Sequence, residues 1–429
     1  MTTSASNHPR VLIVAENASA RFGGEAILPL HYFRFLRARN IEAHLLVHER
    51  TRDELLDVIE PADHSRLHFV PDLVAQRWLW AIGSKLPHRL GNMFTGMPMH
   101  LLTQYLQRRA ARDLIRQHGL NIVHEPIPVS PKTPSLMHSL GVPTIIGPMN
   151  GGMIYPTGFR NLESSIERLL IGSGRATSGL ANWLIPGKRR AAALLVANQR
   201  TAKALPPGIR TPVIELVENG VDLKLWQPPP VSPPTDNTTR FLYMGRMVDW
   251  KAIDLLLHAL AQLRAQAEHP DVHLDLLGDG DQRTHLEQLT DQLQIRPLVT
   301  FHGFLPQADC ARKLADCDAL VLPSLYECGG AVVLEAMAMS KPVIATDWGG
   351  PADYLDDSCG ILIPPTSRES FIHDLASAMN RLATDPILRT TLGRAGRAKV
   401  ETHYDWQVKI DRILDIYQQA INAGKPTKL

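Results

Sequence analysis

The chain has 429 residues, 44% of them hydrophobic and 21% charged, with a net charge of +2, which allows two or three ordinary globular domains. No apolar run approaches the roughly 18 residues that span a bilayer, and the N-terminus lacks the apolar region of a secretory signal. Cys310, Cys317, Cys328 and Cys359 show neither CxxC nor Cys/His spacing, which argues against a structural zinc and for a cytosolic chain with free thiols.

In chain order the first predicted strand is "VLIVA" (11–15). It runs into "ENASARFGGEAILPL", where Gly23 and Gly24 open a helix expected from about Glu25, a turn that suits an anion. Strands follow at "AHLLV" (43–47), "LHFV" (67–70), "NIVH" (121–124), "TIIG" (144–147), "LLVA" (194–197) and "VIELV" (213–217). Helix-length segments between short apolar strands imply βα units and parallel sheets. His124 closes one of these strands; it is either a core histidine or a base strengthened by its neighbour Glu125.

"WQPPPVSPPTDNTT" (226–239) reads as a linker. Beyond it come "FLYMG" (241–245), "HLDLLG" (273–278), "VTFHG" (299–303), "ALVLP" (319–323), "PVIATD" (342–347) and "GILIP" (360–364), then a final helix over 403–424. Arg246 and Lys251 occupy the loop after the first of these strands, where a guanidinium fork and an ammonium can meet one anion. Gly278, Asp279 and Gly280 form a second turn; its D-x-D looks like a metal-holding pair, but Asp281 better suits capping the next helix. In "LYECGGAVVLEAMA" (325–338), Glu327 and Glu335 flank a third turn, Gly329, Gly330 and Ala331, whose helix would begin near Ala331. Strand-to-helix turns are where open α/β sheets hold ligands, and backbone N–H groups there would face a diphosphate. Neither a P-loop nor a GxGxxG occurs, so neither an ATPase nor a standard dinucleotide site is indicated.

Glu327 and Glu335 in E-x7-E spacing, followed by "AMAMSKPVIATDWGGPADYL", stand with "GRMVDWKAIDLLLHAL", "LGDGDQR", "FHGFLP", "ENGVDLKLW" and "FGGEA". In that order they resemble the family 4 glycosyltransferases, most strongly from residue 213 onward. The resemblance implies a GT-B fold: two Rossmann-like, doubly wound domains facing a cleft, with a closing helix that crosses back to the first. The expected domains are 1–226 for the acceptor, 227–402 for the nucleotide sugar, and 403–429 for that helix. It also implies retaining, metal-independent transfer from a UDP- or GDP-sugar, with no separate cofactor, in cell-surface or exopolysaccharide assembly. By position, Arg246 and Lys251 would neutralise the diphosphate, Glu327 would contact the donor sugar and Glu335 the ribose. Gly329, Gly330 and Ala331 would meet the phosphates, and His302, Gly303 and Phe304 would lie near the base. Gly278, Asp279 and Gly24 complete the donor side; Gly23, Glu25 and Asn150 belong to the acceptor side. Many members carry a histidine where Pro148, Met149 and Asn150 stand here, so His124 is the nearest candidate base.

A retaining hydrolase also pairs carboxylates, but has no use for the phosphate-facing groups. A nucleotide-sugar 2-epimerase of related fold is the alternative enzyme, and a non-catalytic glycan binder is disfavoured by intact Glu327, Arg246 and Lys251. Residues 1–210 hold 25 Lys and Arg against 14 Asp and Glu, a net of +11, so the first half should face something anionic. Segment 76–116 mixes two tryptophans with Arg77, Lys85, Arg89, Arg108, Arg109, Arg112 and Arg116, and Lys188, Arg189 and Arg190 follow later. These predict peripheral contact with an anionic membrane from the cytoplasmic side, to reach a glycan or lipid-linked acceptor. No nucleic-acid partner is expected.

Overall fold

The seven strands of the first sheet are β1 Arg10–Val14, β2 Glu42–His48, β3 Leu67–Val70, β4 Ile122–Glu125, β5 Thr144–Met149, β6 Ala193–Val196 and β7 Val213–Glu215. They lie parallel in the order β3-β2-β1-β4-β5-β6-β7. The structure, a computed structural model, describes residues 8–21, 24–83, 95–162, 178–228 and 237–423. Strands this apolar are covered on both faces, and Val11 to Val14 are buried. On one face the Met97–His118 helix sets Ala111, Leu114 and Ile115 against Leu12, Leu46, Val70 and Val123. The strand order reverses between β1 and β4, which is the sheet's switch point.

The second sheet holds β8 Thr239–Met244, β9 Val272–Leu277, β10 Val299–Gly303, β11 Ala319–Leu322, β12 Val343–Thr346 and β13 Gly360–Ile363. Its order is β10-β9-β8-β11-β12-β13, again parallel, with the switch point between β8 and β11. All thirteen expected strands occur, with ends within two residues of the expected ones.

Contacts divide the chain into two units: Met1–Gly152, Leu169–Glu218 and Gln407–Leu429 in one, Met153–Arg168 and Asn219–Trp406 in the other. The Trp406–Ala423 helix thus returns to the first unit, where Ile410, Ile413, Ile416 and Tyr417 are buried. Arg39 holds it through the Gln407 carbonyl at 2.8 Å and through Asp411.

The boundaries expected at 226/227 and 402/403 are displaced. Val221 N–H donates to Tyr404 O at 2.8 Å and Trp406 N–H to Val221 O at 3.1 Å, so the "ENGVDLKLW" stretch from Asn219 folds with the second unit. Trp226, read as the start of the linker, is buried, and its carbonyl accepts from Arg397. Of that proline-rich run, 229–236 lie outside the described residues. Residues 153–162 also join the second unit: Trp348 Nε1 donates to Ile154 O at 2.8 Å, and the Phe159 and Phe371 rings lie 5.9 Å apart. Among the described residues no helix is long and apolar enough to cross a membrane.

Candidate active site

β8 and β11 are neighbours, and the loops leaving their C-terminal ends carry Arg246, Lys251 and Glu327. Lys251 ends a 3-10 turn, Asp249–Lys251, and its ammonium forms an ion pair with Glu327 Oε2. Their side chains are 15% and 16% exposed, so the pair is partly shielded but reachable. Arg246 is exposed, and its carbonyl is fixed by the buried Tyr243 hydroxyl at 2.9 Å. Arg246 and Lys251 thus stand on one loop at the switch point, a placement that suits an anionic ligand.

Backbone packing holds these loops. Gly330 lies at φ +80° as the N-cap of the Ala331–Ala338 helix, and a Cβ there would sit 3.2 Å from Glu327 Cγ. Gly278, at φ +124°, leaves no room for a side chain, since a Cβ would come 1.9 Å from Gly245 O. The loop after β9 therefore rests on the loop after β8, with Met247 N–H donating to Asp279 O at 2.9 Å. Gly329 precedes this N-cap, and Ala331 opens the helix, as expected.

Asp279 is exposed, accepts from Gly280 N–H at 2.8 Å and faces Arg283 at 3.5 Å. Asp281 does not cap the next helix. Gln282 N–H is taken by Met247 O at 3.0 Å, and the Arg283–Gln292 helix starts after Gln282 without a side-chain cap. Gly303 O accepts from Gly278 N–H at 2.8 Å, His302 bonds Asp275 at 2.5 Å, and Phe304 is 74% exposed beside them. Glu335 sits one turn into its helix; its side chain is half-covered, and burial pushes its carboxyl up to about 7. Its charge, after burial, also raises the Cys310 thiol.

The sequence reading missed the aromatic wall beside Glu327. Tyr155 and Tyr326 have ring centroids 5.2 Å apart, and a Cβ on Gly349 would touch Met153 Cε and Glu327 O. Residues 153–155 carry no motif, and only tertiary contacts bring them here. A cavity of about 260 Å³ in this unit is lined by Tyr155, Trp250, His285 and Arg368 but by none of the expected site residues.

In the first unit Gly24 has φ +55° and opens a 3-10 turn, Gly24–Ile27; the α-helix starts only at Leu28, not near Glu25. Glu25 accepts from Val129 N–H at 3.2 Å, and Val129 O accepts from Asn150 N–H at 2.8 Å. The loops after β1, β4 and β5 are thereby joined at the strand ends. Asn150 is buried and donates to Glu218 Oε1 at 2.7 Å, which makes it a core polar residue rather than an open acceptor contact. Gly23 lies outside the described residues.

His124 is not placed to be a base. It is fully buried, with Nε2 at 2.6 Å from Gly147 O and Nδ1 at 2.6 Å from the Tyr417 hydroxyl. The carbonyl takes the Nε2 proton and the phenol occupies the Nδ1 lone pair, while burial holds the ring down at about 4. Glu125 contacts Gln104 and Ser135 instead. A histidine that the motifs did not reveal, His100, lies 3.3 Å from Glu16 past the end of β1. Although burial opposes its charge, Glu16 raises its pKa. Lys188, counted with the surface basics, is buried on the carbonyls of Pro131 and Ser130. Lys85 and Arg89 lie outside the described residues.

Residues 228–399 match the family "Glycosyl transferases group 1". A glycogen synthase of Mycobacterium tuberculosis is 27% identical over 251 residues, 57% of this chain and 58% of that one. A lipopolysaccharide core biosynthesis glycosyltransferase of Rhizobium meliloti is 33% identical over 184 residues, 43% of this chain and 49% of that one. The chain spans about half the length of the curated relatives it matches. Across both units the fold is similar to Anabaena HepE solved with UDP, at a TM-score of 0.63 and 18% identity, covering 96% of this chain and 100% of that one. Two doubly wound parallel sheets thus give the chain a GT-B fold, and its residues 228–399 match the group 1 glycosyl transferase family.

Proposed function

We propose that the protein is a retaining hexosyltransferase that moves a sugar from a UDP- or GDP-sugar to a glycan or lipid-linked acceptor in surface or exopolysaccharide assembly. The observation that carries the reading is the Lys251–Glu327 pair beside Arg246 and the Gly329–Ala331 helix start, all at the switch point of one sheet. Cleaving an anomeric C–O bond leaves a diphosphate that gains negative charge and a sugar that becomes oxocarbenium-like. Arg246, Lys251 and the helix N–H groups meet the first; Glu327, already held beside Lys251, lies against the second. Groups that bind developing charge stabilise the transition state above the ground state. Glu335 takes the ribose hydroxyls, exposed Phe304 and Gly303 flank the base, and Gly278 and Asp279 border the donor. Neither metal nor other cofactor enters this route.

Relatives support the donor and acceptor classes: HepE was solved with UDP, and the Rhizobium relative acts in lipopolysaccharide core biosynthesis. For the acceptor side the proposal extends to an anionic membrane at its cytoplasmic face. Trp78 is 68% exposed and Trp183 65%, and both lie in the unit that carries exposed Arg77, Arg109, Arg112, Arg189 and Arg190. Such apolar side chains enter headgroups while arginines meet phosphate, at about 1 kcal/mol per basic residue, screened by salt.

Thermal-shift measurement against UDP-, GDP- and ADP-sugars tests the donor; a ligand at about 100 times its Kd stabilises by about 2.7 kcal/mol. No shift with any of them overturns the reading. The donor that binds is then incubated with and without glycan or lipid-linked acceptors in EDTA. Retained anomeric configuration in the product is expected; inversion refutes the mechanism, and an epimer formed without acceptor would mark an epimerase. Co-sedimentation with phosphatidylglycerol vesicles, strong at low salt and lost at high salt, tests the membrane contact; no binding at low salt removes it.

A further inference from the structure

Three histidines distant in sequence meet at the far end of the first sheet. His44 is the third residue of β2 and His68 the second of β3; the register pairs Leu46 with His68, so His44, Leu46, His68 and Val70 share one face. Leu46 and Val70 pack on Leu114 and Ile115 of the Met97–His118 helix, and His118 follows on the same stripe, three and four residues on. One ring nitrogen from each histidine lies within 4.8 Å of the other two. We infer that His44, His68 and His118 form a binding site for one zinc-class divalent cation, a site independent of sugar transfer.

His44 Nδ1 lies 2.9 Å from His68 Nε2, and the ring centroids are 4.3, 5.2 and 5.7 Å apart. Zinc–nitrogen bonds of about 2.0–2.1 Å in a tetrahedron put ligand nitrogens about 3.4 Å apart, so a modest inward turn of His118 closes the set. On its other side, His44 Nε2 is 3.0 Å from Glu42 Oε1. That carboxylate takes the Nε2 proton and turns the Nδ1 lone pair toward the other rings, the carboxylate–histidine arrangement that orients metal ligands. Arg66 Nη2 donates to Glu42 Oε2 at 3.2 Å, which holds the carboxylate in place.

The helix end adds to this. His118 is in the last turn, where the backbone carbonyls carry partial negative charge that favours a cation. Imidazole ligands suit zinc, copper, nickel and iron; with three protein ligands and half-exposed His68 and His118, the fourth position goes to water. Both strand residues lie toward the N-terminal ends of parallel strands, opposite the end where ligands bind in this fold. A bound ion would tie edge strand β3 to β2 and to the helix.

The test uses the full-length chain without a histidine tag, stripped with EDTA and desalted. Titration with Co²⁺ should give the visible bands of a tetrahedral site, displaced by one Zn²⁺ per chain in calorimetry. His68→Gln and His118→Gln should each abolish the cobalt bands while circular dichroism shows the fold intact. Glu42→Gln should weaken zinc by about 10–100-fold. His373→Gln, on a helix of the other unit, should bind like the unaltered protein. No saturable zinc binding, a cobalt spectrum without tetrahedral bands, or binding unaffected by both His68→Gln and His118→Gln would overturn the site. In that case the three rings are a hydrogen-bonded cluster anchored by Glu42.

Discussion

The two units share a topology but treat charge in opposite ways. In the second, Arg246 is exposed and the Lys251–Glu327 pair is partly shielded on loops at the switch point, where a ligand can reach them. In the first, the polar residues at the strand ends turn inward. His124 and Asn150 are bonded on all sides of the core, and burial pushes Glu125 up to about 7 and Lys188 down to about 7. A motif residue at a strand end is therefore a site only when its loop holds it clear of the core. The second unit meets that condition and most of the first does not.

The sharpest way to break this contrast is to remove the two cations of the second unit. Lys251→Ala and Arg246→Ala should each lower transfer by about 10–200-fold, the equivalent of losing about 1.5–3 kcal/mol of charge-assisted bonding, with the fold intact by circular dichroism. Near-wild-type turnover in both would move the donor site elsewhere.

His124→Phe should do the reverse. It leaves Gly147 O and the Tyr417 hydroxyl without their partner, at a cost of about 1–3 kcal/mol by denaturant unfolding. The pH–rate profile of the remaining folded enzyme should keep both limbs; a vanished limb would restore His124 as a base.

A glycine pair separates strain from function. Gly330 and Gly141 both have positive φ, +80° and +87°, so alanine at either should cost about 1–2 kcal/mol. Only at Gly330 does the new Cβ press on Glu327, whereas Gly141 has nothing within 4 Å. Equal stability loss with slower transfer in Gly330→Ala alone is expected; equal rates would show that Glu327 tolerates displacement.

The smallest effect concerns Glu335. Its folded pKa is raised to about 7, so the folded state holds a proton that the unfolded state has released above the ordinary carboxylate range. Stability from this group is full at low pH and falls as pH rises from about 4.5 through 7. Glu335→Gln should therefore raise the Tm at pH 8 and leave it unchanged at pH 4. The same substitution should weaken nucleoside diphosphate binding at pH 8, where the ionised carboxylate accepts ribose hydroxyls. A Tm difference independent of pH would contradict the raised carboxyl pKa.

Much of the candidate site was legible because its glycines and charges sit in short, ordered motifs. Gly278, Gly330, Lys251 and Glu327 each follow a strand that announces itself as an apolar run. Asp281 was misread because helix onset depends on which backbone N–H finds a partner, and Met247 O claims the one on Gln282. The segment 153–162 was assigned to the wrong unit because its partners, Phe371, Trp348 and Tyr326, are more than 150 residues away.

By itself, the sequence determined the thirteen strands, their parallel pairing and the closing helix, since two-faced burial demands continuous apolar runs at helix-length spacing. The family motifs of residues 228–399 were likewise readable, being local. Only the tertiary structure decided which charges stay accessible. It bound both nitrogens of His124 in the core, sank Lys188 under the carbonyls of Ser130 and Pro131, and drew "ENGVDLKLW" from Asn219 onward into the second unit. It also brought His44, His68 and His118 together from two strands and a helix end. Strand register and helix packing, which no local pattern encodes, set these contacts.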